Sequence, residues 1–310
     1  MSTSSVTAFA PASVGNVAVG FDILGHALSG IGDRVRVTFS PESGVRIRPI
    51  EGLPVDLPLE PENNTAGRAV LDLLEQLGIT AGLELTIDKG IPLASGLGGS
   101  AASAVAAVVA SNALLDLNLS AHELYPFALA GEAIASGSAH GDNIAPQLLG
   151  GLVLVAGEDL ISLPVPEGLT AVAVHPHCQV ATAQARQKLR EPFPLDVITA
   201  QSTNLARVLA GCYQNDIGLL AQGLNDHMIE PRRATLIPGF VDVKQAALNA
   251  GALGAAISGA GPTVCAWFDG DERTQFAANA MQQAFQQAGL DSDVVISAVN
   301  CTAAHIEQVD

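Results

Sequence analysis

The sequence predicts an α+β protein of two units, and three observations carry that expectation. Stretches with apolar residues at every second position alternate with stretches of helical spacing along the 310 residues. A fresh strand-like pattern starts near residue 170, after the proline-containing stretch EDLISLPVPEGL at 158–169. The length also suits two ordinary cores. The expected division is 1–160 and 161–310.

In chain order, VTAFAPAS at 6–13, RVRVTFS at 34–40 and GVRIRPI at 44–50 read as strands of a half-exposed antiparallel sheet. AGRAVLDLLEQL at 66–77 has helical spacing with Gly78 as its stop, and LELTIDKG at 83–90 gives a short strand. The helix expected over 100–116 is apolar nearly all round, which places it in a core. A further helix over 121–136 leads through SGSAHGDNIAPQLLGG to the strand GLVLVAG at 151–157. The second unit opens with the strand TAVAVHP at 170–176. Helices follow over 181–189, 198–212, 217–224 and 238–251, then the strand-like AAISGAGPTVCAWF and a last helix and strand ending in VVISAV. No internal repeat is visible.

Composition narrows the function classes. Hydrophobic residues make up 48% and charged residues 15%, too apolar a mixture for disorder. Fourteen Lys and Arg face 31 Asp and Glu, a formal charge of −17 that repels nucleic-acid backbones and anionic membranes. Cys178, Cys212, Cys265 and Cys301 are scattered without a CxxC pair, which suggests free thiols in a reducing compartment. MSTSSVTAFA lacks the basic and apolar regions of a secretory signal, so a cytoplasmic protein is expected. The uncharged stretches 90–115 and 245–268 are rich in Gly, Ala and Ser and read as buried loop-plus-helix segments, with no membrane partner.

The most informative stretch is PLASGLGGSAAS at 92–103. Glycines beside a helix start serve a turn, a close packing contact or an approaching ligand. No GK[ST] follows, which disfavours a P-loop. Gly96, Gly98 and Ala101 match G-x-G-x-x-A, but Asp116 continues helical text where a dinucleotide fold needs a second strand. Ala102 stands where a serine-hydrolase elbow has glycine. What remains is either a packing turn or a helix N-terminus whose amides meet an anion, with Ser100 beside it.

Other segments decide between these. PASVGNVAVGFDILGHAL at 11–28, PLASGLGGSAASAVAA at 92–107 and AAISGAGPTVCA at 255–266 resemble the three motifs of the GHMP kinases, in the same order. The first motif, HGDNIAPQLLGG at 140–151 and EPRRATLIPG at 230–239 resemble the branch of that family that phosphorylates homoserine. The chain departs from the family at Gly99, usually serine, at Ala18 and Val19, usually Gly-Pro, and at Arg190, usually proline.

The resemblance implies a two-domain fold, an N-terminal domain like ribosomal protein S5 and a C-terminal ferredoxin-like α/β domain. It implies ATP as co-substrate, Mg²⁺, L-homoserine as acceptor and a site between the domains; members are commonly dimers, so a homodimer is expected. The loop Pro92, Leu93, Ala94, Ser95, Gly96, Leu97, Gly98, Gly99, Ser100, Ala101 and Ala102 would wrap the triphosphate, and Ser100 and Glu132 would hold Mg²⁺. The loop from Gly259 to Thr263 would buttress the site. Asp22 and Asp142 would meet the acceptor ammonium, and Arg186 and Arg233 its carboxylate. Asn16, His140 and Asn143 would orient the hydroxyl with help from Thr182. Asn143 stands where related sugar and mevalonate kinases have an aspartate, so a catalytic base is not expected, which a loose phosphoryl-transfer transition state tolerates.

Asn63, Asn64 and Thr65 fall where the family contacts adenine, although Asn-Asn is also an ordinary turn pair. His175, His177 and Cys178 read as part of a sheet edge or interface rather than a metal site. Two alternatives stand beside the homoserine reading: another GHMP kinase acting on mevalonate, a phosphorylated isoprenoid precursor or a sugar, and a nucleotide-binding sensor of the same fold without catalysis.

Overall fold

The computed structural model of the chain describes residues 4–136 and 140–310. Residues 1–3, the start of the stretch read for a secretory signal, and residues 137–139 of the loop before His140 lie outside the described residues.

Alternating small and branched residues build the long antiparallel pair β1 (Ser5–Gly15) and β2 (Leu24–Phe39), which runs from Ser5 opposite Thr38 to Gly15 opposite Gly25. The register shifts between Pro11 and Ala12, where proline has no N–H for the ladder. The sequence predicts only the second half of β2; the glycine-rich text at 24–33 joins it through the pairing with β1. Then come β3 (Gly44–Ile47), β4 (Glu51–Gly52), α1 (Thr65–Leu77) and β5 (Gly82–Lys89). Asn64 caps α1 by accepting from the amides of Ala66 and Gly67, and Gly78 ends it in the left-handed conformation, as its glycine predicts.

Next are α2 (Gly99–Leu114), α3 (Ala121–Ser136), α4 (Ile144–Leu149), β6 (Leu152–Ala156) and β7 (Asp159–Leu163). Helix α2 has no polar face, and its residues from Ala101 to Val108 are all buried, so it runs through the first core as expected. Strands β12-β1-β2-β5-β3 form the path of an eight-stranded sheet, where β12 is His305–Val309. β4 adds to β5, and β6 and β7 extend from β2. Strand β7 spans the division expected at residue 160, and β12 returns the chain end to the first sheet.

The second sheet has the order β11-β8-β10-β9, all antiparallel: β8 (Leu169–Pro176), β9 (Gly254–Ile257), β10 (Val264–Asp269) and β11 (Ser292–Ala298). Between β8 and β9 lie α5 (Thr182–Gln187), α6 (Leu195–Gln214), α7 (Ile217–Gly223), α8 (Glu230–Arg233) and α9 (Phe240–Asn249). Helix α10 (Thr274–Gln287) lies between β10 and β11. α9 and α10 bury Phe240, Val243, Met281 and Phe285 in a second core with Val172 and Val174 of β8. AAISGAGPTVCAWF, expected as strand-like throughout, is two strands around a turn, because Gly259 and Gly261 adopt positive φ.

Of the expectation of a sheet edge or an interface, the edge is corrected for His175, because β8 lies inside the second sheet; His177 follows the strand. His175 is buried near the Thr263 hydroxyl and His177 meets Asp293. No cluster of three or more His, Cys, Asp or Glu able to hold a metal occurs among the described residues. No helix of the described residues is long and apolar enough to cross a membrane. Buried His26 of β2 accepts a 3.1 Å hydrogen bond from the Trp267 indole of β10, tying the two sheets. Burial pushes His26 down to about 4, which keeps it the neutral acceptor this bond needs.

Candidate active site

A cavity of about 310 Å³ opens between the two sheets. It is lined on one side by the stretch after β5 and on the other by α5, Arg233 and the turn after β9.

The glycine loop owes its shape to close approach. Gly96 has φ 80°, and a Cβ there would lie 2.5 Å from the carbonyl oxygen of Ser258 and 2.8 Å from that of Gly261. Gly98 has φ 68°, and a Cβ would press on the side chains of Ser13, Gln147 and Asn143. The turn after β9 braces the loop: the Ser258 hydroxyl donates to the Gly96 carbonyl at 2.6 Å, and the Thr263 amide and hydroxyl both donate to the Ser95 carbonyl. Gly98 is the N-cap of α2, so the first-turn amides of Gly99, Ser100 and Ala101 have no intrahelical acceptor. They form a positive rim at the cavity wall.

Not all of the predicted loop faces the cavity. Leu97 and Ala102 are buried in the core, with the Leu97 amide on the Ser95 hydroxyl and the Ala102 amide on the Gly98 carbonyl. Neither is placed to meet a ligand. Pro92, Leu93, Ala94, Ser95, Gly96, Gly98, Gly99, Ser100 and Ala101 do line the cavity. Asn64 borders it too, but its side-chain oxygen caps α1 and its amide nitrogen donates to the Pro58 carbonyl. Its side chain is therefore committed to the helix rather than to a base; Leu57, Pro58 and Thr65 form the wall there.

The Ser100 hydroxyl donates to the Glu132 carboxylate at 2.6 Å. Burial pushes Glu132 up to about 7, partly offset by that hydrogen bond. Behind the loop lies a cluster that the sequence did not single out. Lys89 and Asp33 form a buried ion pair; Lys89 also donates to the Gly99 carbonyl and Ser103, while Asp33 accepts from the amides of Gly90 and Ile91. The signal was a lysine ending an otherwise alternating strand and an aspartate within a strand.

The opposite wall is built of charges. The chain between β1 and β2 turns through Asn16, Val17, Ala18 and Asp22, all at positive φ. Asn16 fixes this turn by accepting from the Asp22 amide, donating to the Gly259 carbonyl at 2.7 Å, and giving its own amide to Asp142. Arg186 of α5 clamps Asp22 through both terminal nitrogens at 2.8 and 2.9 Å, with His140 Nδ1 3.4 Å from the same carboxylate. The groups expected to meet opposite ends of a zwitterion are thus paired with each other. Arg233, buried at the end of α8, donates to the carbonyls of Ala185 and Gly259. Burial, then the neighbouring Arg186, lowers it to about 10. Asp142 is pushed up to about 7 by burial and then by Asp22. Burial lowers His140 against the pull of Asp22. Asn143, whose side-chain oxygen accepts from Ser13, and Thr182, the first residue of α5, complete the lining.

The GHMP kinases N terminal domain model matches residues 64–151, and the GHMP kinases C terminal model matches residues 208–287. A homoserine kinase of Xanthomonas campestris pv. campestris is 54% identical over 96% of this chain and 93% of its own length. The chain belongs to the homoserine kinases of the GHMP family. A homoserine kinase of Chlorobium phaeobacteroides is 43% identical over 95% of this chain and 97% of its own. The crystal structure of homoserine kinase from Cytophaga hutchinsonii superposes with a TM-score of 0.95 at 45% identity, covering 98% of this chain and 97% of that one. The family supplies what the cavity requires, a phosphotransferase that acts on a hydroxyl group with ATP as co-substrate.

Proposed function

We propose that this cleft transfers the γ-phosphoryl group of ATP to the side-chain hydroxyl of L-homoserine, forming O-phospho-L-homoserine for threonine biosynthesis. One observation carries the reading: a single cavity joins the open amides of α2 to a carboxylate and two guanidinium groups, the complement of an α-amino acid zwitterion.

The triphosphate would lie along Gly96, Gly98, Gly99, Ser100 and Ala101, where main-chain dipoles meet it within a protein of net charge −17. The hard oxygens of Ser100 and Glu132 suit Mg²⁺, and a buried carboxyl pushed up to about 7 gains from a cation beside it. Those two residues would hold the ion, whose chemistry when bound is to neutralise charge across the phosphate oxygens.

On the acceptor side, the ammonium would take Asp22 and Asp142, and the carboxylate Arg186 and Arg233. Arrival of the zwitterion exchanges the Asp22–Arg186 pair for two intermolecular pairs, so both charges of the ligand are needed. Asn143 is an amide and takes no proton at neutral pH; with Thr182 and His140 it orients the hydroxyl, while Asn16, committed to the Asp22 amide and the Gly259 carbonyl, holds the turn. Alignment and charge neutralisation carry the step, as a loose transition state permits. The same reading takes the enzyme as cytoplasmic and dimeric, with no nucleic-acid partner, the last supported by the net charge.

ADP release measured with L-homoserine, mevalonate and galactose tests the proposal. Turnover selective for homoserine supports it. Selectivity for either other acceptor overturns it, and tight nucleotide binding without turnover would instead support a sensor.

A further inference from the structure

We infer that Phe21 is a positioning residue for the acceptor carboxylate: its ring holds the guanidinium groups of Arg186 and Arg233 together as a fork. The inference rests on the acceptor reading above and adds a residue to which no role has been given.

The Arg186 guanidinium carbon lies 5.3 Å from the centre of the Phe21 ring, and that of Arg233 lies 5.1 Å from it. The two come from different elements, α5 and α8, and carry like charge in one cavity wall. An aromatic face, negative at its centre, attracts both and adds to the acceptors that each already has, Asp22 for Arg186 and two carbonyls for Arg233. The backbone that carries the ring is fixed on both sides. Asp22, the next residue, has φ 62° and gives its amide to Asn16, while the Gly20 amide donates to the Asn16 carbonyl at 2.8 Å.

The other contacts of Arg186 explain why the ring matters during binding. Both terminal nitrogens sit on Asp22, and the buried Nε has no hydrogen-bond partner among the described residues. When the ligand ammonium takes Asp22, those two bonds weaken, and the ring becomes the contact that keeps Arg186 beside Arg233. Arg233 keeps its carbonyl partners Ala185 and Gly259 throughout. A leucine at position 21 would supply apolar bulk but no negative face.

The test compares wild type, Phe21→Leu and Phe21→Tyr with L-homoserine and with its amide, 2-amino-4-hydroxybutanamide, whose neutral head does not need the fork. The homoserine KM of Phe21→Leu is expected to rise about tenfold, with kcat, the ATP KM and the amide KM near wild type, and Phe21→Tyr is expected to restore it. Phe21→Met repeats the comparison with a second apolar side chain, so that a folding defect peculiar to one variant does not decide the outcome. A homoserine KM within about twofold of wild type in both apolar variants, or an equal penalty on the amide, overturns the inference while leaving the acceptor reading intact. A wild-type chain that does not phosphorylate homoserine overturns both.

Discussion

Under the proposed function, the two walls of the cleft solve the same problem, holding a charged ligand in an acidic protein, by opposite means. The loop at 92–102 uses main-chain amides, glycine and the start of a buried apolar helix, supported by the buried Lys89–Asp33 pair, of which Lys89 borders the cavity. The acceptor wall of that proposal uses side-chain charges from three distant elements: Asp22 before β2 and Arg186 on α5, which pair with each other, and Arg233 on α8, which is held by the carbonyls of Ala185 and Gly259. A backbone wall is set by conformation and tolerates few changes of shape. A side-chain wall is set by charge and tolerates few changes of sign. Substitutions on the two walls should therefore fail in different kinetic parameters.

The largest effect is expected at Asp22→Ala. It leaves Arg186 without its partner and the ammonium without its carboxylate, and kcat/KM for homoserine should fall about a thousandfold with the ATP KM nearly unchanged. Initial rates at saturating ATP measure it; an equal loss in ATP affinity would mean that the walls are not separable. Next is Gly98→Val, which forces a branched side chain to φ 68° against Ser13 and Gln147. The ATP KM should rise about a hundredfold, read from an ATP titration at saturating homoserine, while direct homoserine binding persists.

These two outcomes also mark where sequence was informative. The glycines at 96 and 98 announced a strained loop before a helix, and local pattern alone predicted α1 with its Gly78 stop and the buried α2. Leu97, Ala102 and Asn64 could not be separated from their neighbours, because whether an amide or a side chain is already spent depends on packing. The acceptor wall was legible only through resemblance to a family: nothing local in EPRR or TAQAR says that these arginines meet over Phe21. Lys89 and Asp33 were not legible at all: they stand 56 residues apart and are brought together by the pairing of β2 with β5. Strands β7 and β12 escaped notice because short, largely exposed strands have weak alternation.

A smaller effect is expected at Glu132→Gln, which keeps the shape and removes the charge beside Ser100. Half-saturation by Mg²⁺ should shift upward by about tenfold or more, with the homoserine KM unchanged; an unaltered Mg²⁺ titration would remove Glu132 from the metal's surroundings. The smallest concerns stability. Asp142 is pushed up to about 7 in the folded chain, above the ordinary carboxylate value, so its contribution is full at low pH and is lost as pH rises through about 7. Asp142→Asn stays neutral throughout, and its melting temperature relative to wild type should climb by roughly 5 °C between pH 5.5 and 8.5. A constant difference across that window would show that Asp142 does not titrate there.

The most direct measurement is a crystal structure of the chain with a nonhydrolysable ATP analogue, Mg²⁺ and L-homoserine. Phosphate oxygens on the amides from Gly96 to Ala101, and the amino acid carboxylate between Arg186 and Arg233 with the Asp22–Arg186 pair opened, are the predicted result. Phosphates bound away from that loop, or an acceptor seated with the pair still closed, would contradict it.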